Sequence, residues 1–367
     1  MLLTIIIFIT TLGVLVISHE LGHFLAARRF GVKVLEFGFG LPPKIWSKKF
    51  GETKFSLNAL PIGGFVKLLG EDEIVCEQSI GGSDQSRNFS HKPVVQRILI
   101  VGAGVVVNLI LSWVLFYIVL FNQNWKIIYP SLEPVVVVAD LQDNFPAKTA
   151  GVKIGEQLLQ IDDQPVQNLD SAVKYIRGHA NLPIKLKLSD LEGRNLRDVT
   201  LTPKELNPGD GRIGVVFSPI PFREYESPLS RIFSAPAYSW DLIKLTFQGL
   251  GKLVANIVGG NYQIASQSVA GPIGLIQVTH GFVASGWQAV LPYLWFVGVI
   301  SLTLTIFNSL PFPALDGGRI LFMIWELVSG RRVNQNFEKW AHSVGMVILL
   351  GLMLLITLSD LSKLNLF

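Results

Sequence analysis

The sequence has 367 residues, half of them hydrophobic and 16% charged, with a mean hydropathy of +0.45. A soluble domain carries about a quarter charged residues, so this deficit excludes an ordinary soluble enzyme and implies an integral membrane protein. The net charge of +4 is unremarkable for this length, no nucleic-acid partner is expected, and a single cysteine, Cys76, excludes an intramolecular disulfide and leaves no second thiol for a Cys-based metal site.

The chain opens on an apolar run, Leu2 to Ile17, which continues through Phe24 to Ala27. Residues 1–27 are expected to form the first of four transmembrane helices, each near the about 20 residues a span requires. The run could be mistaken for a signal peptide. It lacks a basic n-region, however, and it continues into His19-Glu20-Leu21-Gly22-His23, so it reads as a retained span. On a helix, positions four apart share a face. His19 and His23 can therefore offer two imidazole nitrogens to one metal ion, with Glu20 beside them to take a proton from water. Two His ligands and a Glu base are the H-E-x-x-H arrangement of zinc-dependent hydrolysis. A match of this length also arises by chance in soluble chains. Inside a span, three ionisable groups in five positions are costly, and such groups mark function.

Residues 28–97 form a loop with eleven basic against seven acidic residues, the basic ones crowded at its ends (Arg28, Arg29, Lys33, Lys92, Arg97). The positive-inside bias places this loop in the cytoplasm. Within it, about 53–69 reads as two short apolar strands around Pro61-Ile62-Gly63-Gly64, a hairpin too short to span and too apolar for water. A re-entrant hairpin at membrane depth fits, since irregular backbone is tolerated there when buried or lining a cavity; a plain cytosolic hairpin is the alternative. Glu71 to Arg87 reads as a flexible linker. The second span, 98–121, is free of charge, and its Gly104, Asn108 and Ser112 form one small, polar face, as helix packing in membranes favours.

Residues 122–205 read as an extracytoplasmic α+β domain: a strand at Pro134–Val138, a helix at Asp170–Gly178, and strands at Ile184–Leu188 and Val199–Pro203. The order of elements and the run Ala147-Lys148-Thr149-Ala150-Gly151-Val152 through Asp162 resemble a PDZ domain, a fold that binds extended peptides by strand addition. Its expected carboxylate-binding loop is not evident. Residues 206–288 read as amphipathic helices on the outer membrane surface, with a turn at Gly271-Pro272-Ile273-Gly274. The third span, 289–315, ends in Asn308-Ser309-Leu310-Pro311-Phe312-Pro313-Ala314-Leu315-Asp316-Gly317. Asp316 falls at the depth of His19 and His23 and is the candidate third ligand, although a helix-capping role would also explain an acid there. A cytoplasmic loop or helix, 316–340, with Arg319, Arg331, Arg332 and Lys339, precedes the fourth span, 341–358. Both termini and the PDZ-like domain are thus expected on the extracytoplasmic side.

Together, H-E-L-G-H in the first span, Asn-x-x-Pro-x-Pro-x-Leu-Asp-Gly in the third, the Pro-x-Gly-Gly hairpin and the outer PDZ-like domain resemble the site-2 proteases, intramembrane zinc metalloproteases, in the bacterial single-PDZ branch similar to regulators of sigma-factor signalling. The resemblance implies one zinc ion per chain on His19, His23 and Asp316, with Glu20 as catalytic base. It implies substrate contacts from Asn308 and from the hairpin through Asn58, Pro61, Gly63 and Gly64, with Gly104 and Asn108 flanking the site. It further implies a multi-pass protein of the bacterial inner membrane that cleaves transmembrane segments of single-pass proteins already trimmed on the outer side. An anti-sigma factor and remnant signal peptides are the candidate substrates. A membrane zinc carrier or sensor without peptidase activity is the alternative; such a protein has little use for a glutamate directly after His19. A membrane scaffold built on the outer domain is a third reading, and replacing His19 or His23 would leave its role intact.

Overall fold

A computed structural model describes residues 1–71, 85–129, 131, 135–191, 193–262, 266 and 269–363. They divide into two compact units. One is Met1–Val119 with Leu253–Phe367, the other Leu120–Lys252.

The first unit is helical. Helices α1 (Leu2–Arg29) and α2 (Val94–Asn122) are each long and apolar enough to cross a membrane. In hydrocarbon a helix is favoured because it satisfies every backbone group internally. Helix α1 ends where Arg28 and Arg29 meet Gly31, whose φ of +67° turns the chain, and Val32 N–H donates back to Ala27 O at 2.8 Å. Helices α1 and α2 approach closely. A Cβ on Gly22 would stand 2.4 Å from the carbonyl oxygen of Ala103, so glycine is required at this crossing.

Strands β1 (Val34–Phe50) and β2 (Thr53–Leu68) follow α1. The expected hairpin within 53–69 is corrected here. Its two arms do not pair with each other. Residues 36–39 lie between them, with Phe37 opposite both Phe55 and Val66, and Gly38 opposite both Ser56 and Phe65. The far end of β1 folds back on 53–57, Trp46 facing Leu57 and Phe50 facing Thr53. Two long, bent strands thus make a ribbon four segments wide, one edge of which, 64–67, is unpaired on its outer side among the described residues. Sequence missed β1 because Pro42, Pro43 and three lysines (Lys44, Lys48, Lys49) obscure its pattern. Phe37 and Phe55 pack on Phe24 of α1 with ring centroids 5.6 and 6.1 Å away, which pins the ribbon to the helix. Of the expected linker, 72–84 lies outside the described residues.

Four helices complete this unit: α7 (Pro272–Ala284), α8 (Val290–Ser309), α9 (Asp316–Ser329) and α10 (Gln335–Lys363). Counting its preceding turn, Gly286–Ser309 is the third helix able to span, and α10 is the fourth. Their outward faces are apolar, with Val347 70% and Leu355 65% exposed, as lipid contact requires. Two expectations change. The third span does not continue to Leu315: α8 stops at Ser309, because Pro311 and Pro313 cannot continue the ladder, and 310–315 is an irregular connection before α9. Gly271-Pro272-Ile273-Gly274 is not a turn but the start of α7, with Pro272 in its first turn, where proline is favoured. Buried Asp360 of α10 accepts from Gly271 N at 2.9 Å and Gly274 N at 2.8 Å, satisfying that helix start.

In the second unit, β4 (Val137–Leu141), β5 (Gln157–Ile161), β7 (Ile184–Ser189), β8 (Arg197–Leu201) and β11 (Val215–Ser218) form a sheet in the order β11-β4-β5-β7-β8, with β6 (Gln164–Pro165) on β5. Short helix α3 (Pro146–Thr149) and α4 (Leu169–Gly178) accompany it. Asn168 and Ser171 make a reciprocal capping box at the start of α4. Leu158, Ile161, Ile176, Leu186 and Leu188 fill the core. The expected end at 205 is too early. β11 pairs with β4, and Ile213 belongs to the same core. Likewise the first strand starts at Val137 rather than Pro134, which lies outside the described residues. The expectation of surface helices from 206 also fails at its start. β9 (Lys204–Asn207), β10 (Asp210–Arg212) and β12 (Phe222–Glu224) are strands, the last paired with β3 (Lys126–Ile128). These strands are three or four residues long, too short to show an alternating pattern. Helices α5 (Pro228–Ile232) and α6 (Ser234–Val258) then follow.

Candidate metal centre

Helix α1 sets His19 and His23 one turn apart, their Nε2 atoms 3.1 Å from each other and their rings edge to face. The first residue of α9, Asp316, brings Oδ2 to 3.0 Å from His19 Nε2 and 3.3 Å from His23 Nε2. Asp316 reaches them because the connection 310–315 folds tightly over the start of α9. A Cβ on Gly317 would stand 2.2 Å from Leu310 O, and one on Gly318 2.3 Å from Phe312 O. Among the described residues, these three form the one His/Cys/Asp/Glu group of the size a metal ion needs.

The donor set fits zinc. Ligands at about 2.0–2.2 Å in a tetrahedron sit about 3.4 Å apart, close to the separations found. Three lone-pair atoms that converge without a donor between them call for a cation, and Asp316 Oδ2 is buried without a hydrogen-bond donor among the described residues. The rings are also aimed. His23 Nδ1–H donates to Ile100 O at 3.0 Å, which leaves Nε2 as the lone-pair nitrogen facing Asp316. His19 Nδ1 lies 3.5 Å from the amide of buried Asn108, whose Oδ1 has no partner among the described residues; with that oxygen turned to the ring it accepts Nδ1–H. A Cβ on Gly104 would stand 2.4 Å from His23 Nε2 and 2.8 Å from His19 Cε1. Only the bare backbone of α2 leaves room for both rings.

A cavity of about 540 Å³ opens beside this group, lined by Glu20, Gly63, Gly64, Asn108 and Asn308 among others. A Cβ on Gly64 would meet Glu20 Cγ at 2.6 Å and Val16 Cγ1 at 2.9 Å, so glycine lets the 64–67 edge lie directly on the His/Glu turn of α1. Asn58 is not brought to the cavity: it is buried in the ribbon, where Nδ2 donates to Gly40 O at 2.8 Å. The side chain of Pro61 lies outside the described ones. Four participants gave no signal in the sequence analysis. Ile100 contributes only a carbonyl, and Gly22 only its lack of a side chain. Ser301 donates to Asn108 O at 2.8 Å. Glu71, in the polar stretch taken as linker, lines the cavity, accepts from Leu68 N at 3.2 Å and pairs with Arg319.

A family model described as peptidase family M50 matches residues 7–352. The chain belongs to this family. The resemblance to the site-2 proteases is borne out, and M50 membership with its named relatives makes this protein a zinc-dependent metalloendopeptidase of membranes, acting on membrane proteins. It is 30% identical over 347 residues to a protein of Clostridium perfringens, covering 95% of each chain. It is 29% identical over 432 residues to the zinc metalloprotease RasP of Geobacillus kaustophilus, covering 98% of each. RasP of Bacillus licheniformis is 27% identical over 434 residues, with 98% of this M50 chain and 99% of that protein covered.

Proposed function

We propose that this M50 peptidase cleaves a peptide bond within the transmembrane segment of its substrate, with His19, His23 and Asp316 holding zinc and Glu20 as the catalytic base. The observation that carries the reading is the meeting of two imidazoles, one carboxylate and a neighbouring glutamate in a cavity among apolar helices. Zinc, when bound there, supplies a Lewis acid for the scissile carbonyl and lowers the pKa of water toward about 7. Glu20 takes the proton of the attacking water and delivers it to the leaving amine. A carboxylate next to His19 on the same helical turn reaches the water without displacing a ligand. Asn308, on the cavity wall, is positioned to donate to the substrate backbone.

A substrate helix hides its carbonyls in its own hydrogen bonds, so it must unwind before attack. The 64–67 edge beside Glu20, unpaired among the described residues, supports strand addition as the replacement for those bonds. Substrates with Gly, Pro or polar residues in the span are favoured, since these unwind most readily. The loops 28–97 and 316–340 face the cytoplasm in this reading, while both termini and the PDZ-like unit lie outside the inner membrane. That unit excludes substrates whose outer part has not been trimmed. Membrane-anchored anti-sigma factors and remnant signal peptides are the substrate classes implied.

The test is Glu20→Gln in the full-length chain reconstituted with a model single-pass substrate. Zinc content should stay near one per chain while cleavage falls by at least about 10³-fold, the scale expected when a general base is lost. Cleavage at the parental rate would reject Glu20 as the base.

A further inference from the structure

We propose that His342 of α10 is a positioning residue for the metal centre, holding the backbone from which Asp316 projects; the proposal rests on the zinc-site reading above. Nδ1 of His342 accepts the Ala314 N–H at 2.8 Å, two residues before Asp316. That amide needs holding. Ala314 has φ +79°, a left-handed conformation that side-chain-bearing residues adopt reluctantly and that persists only when its surroundings impose it. Glycine, the usual occupant of such a position, is absent here, so the constraint comes from outside the connection.

Helix α10 supplies it at two adjacent points. One turn beyond His342, a Cβ on Gly345 would stand 2.4 Å from Pro313 O, so the helix backbone presses directly on the residue preceding Ala314. Positions three apart share a helix face, and this face is therefore fitted to the 313–314 peptide. The His342 ring is itself held edge-on to Phe322 of α9 at 5.8 Å. Its Nδ1 is the acceptor, so the proton of the neutral ring sits on Nε2, a buried atom 3.9 Å from Glu338 Oε1, one turn earlier on α10. The fourth spanning helix thus reaches the metal centre without contributing a ligand. It fixes the peptide that sets where Asp316 Oδ2 falls relative to the two imidazoles.

The experiment compares His342→Phe, which fills the space without an acceptor, with His342→Asn, whose Oδ1 stands where Nδ1 stood. Both are measured in the full-length chain for zinc affinity by chelator competition, and for kcat and KM on the model membrane substrate. Loss of an outer partner of a metal ligand typically costs 10–100-fold. We expect His342→Phe to lose at least tenfold in zinc affinity and in kcat with KM within about twofold, and His342→Asn to recover most of both. Where His342→Phe does not fold, His342→Ala serves in its place. Parental zinc affinity in the acceptor-less variant overturns the proposal, and so does an Asn variant as impaired as the Phe one. Parental protein that binds zinc without cleaving sinks the protease reading, yet leaves the affinity comparison valid.

Discussion

Two absent side chains shape the site as much as the ligands do. Gly104 touches both imidazoles through bare backbone, and Gly64 does the same for Glu20. Gly104→Ala should therefore displace at least one ring, because the contact at 2.4 Å is with a ring whose other nitrogen is tied to Ile100 O. The expected outcome is a drop in zinc affinity of at least about tenfold, by the same reasoning as for an outer-shell partner, read by chelator competition in detergent. Asn108→Ala should weaken zinc by about 10–100-fold, whereas Ser112→Ala, whose hydroxyl bonds Leu109 O on its own helix, should leave zinc binding unchanged. His19, His23 and Asp316 were legible as candidates because the chemistry lies in residue types at fixed spacing. Ile100 was not, since any residue offers a carbonyl. His342 was not either, because a lone histidine at the start of an aliphatic run carries no spacing to read.

At the scale of elements, α2 is the post against which α1 and α8 are set. Gly22 and Ala103 bring α1 onto it, and Ser301 of α8 bonds Asn108 O from the other side. At its start, Arg97 donates to Glu326 of α9 at 2.6 Å, and Arg332 joins them at 3.1 Å. Burial pushes the Glu326 carboxyl up, but the hydrogen bonds from Arg97 and Arg332 outweigh it and hold the group below the usual glutamate range. A carboxyl depressed in the folded state stabilises the fold fully above its ordinary value and loses that contribution as pH falls through the lowered one. Glu326→Gln should cost about 1–3 kcal/mol at neutral pH and flatten the acid side of the thermal-melt profile below about pH 4.5. A variant whose melt tracks the parent at every pH would show that the pair does not fasten α9. The four spans were legible from apolar length alone. The end of the third span and the start of α7 were not, since proline at 311 ends one helix while proline at 272 begins another. The ribbon was misread because 36–39 intervenes between two segments adjacent in sequence, and pairing of that kind leaves no local pattern.

For the whole molecule, the proposed topology puts the loop 28–97 in the cytoplasm and the segment between the second and third spans outside it. In a Cys76→Ser background, Asn195→Cys in the exposed β7–β8 connection should react with an impermeant maleimide added to intact cells, and Lys48→Cys on β1 only after the membrane is opened. Labelling in the reverse order would invert the topology. The second unit was legible in the middle of its sheet, where strands of five or six residues alternate, and illegible around it, where β9 to β12 are three or four residues long. In the proposed mechanism His19, His23 and Asp316 share one zinc ion. Zinc K-edge absorption on the purified full-length chain measures that directly. The prediction is a first shell of nitrogen and oxygen only, at about 2.0–2.2 Å, with two imidazoles, and zinc lost from Asp316→Ala. A sulfur scatterer at about 2.3 Å, or an unchanged spectrum and zinc content in Asp316→Ala, would contradict it.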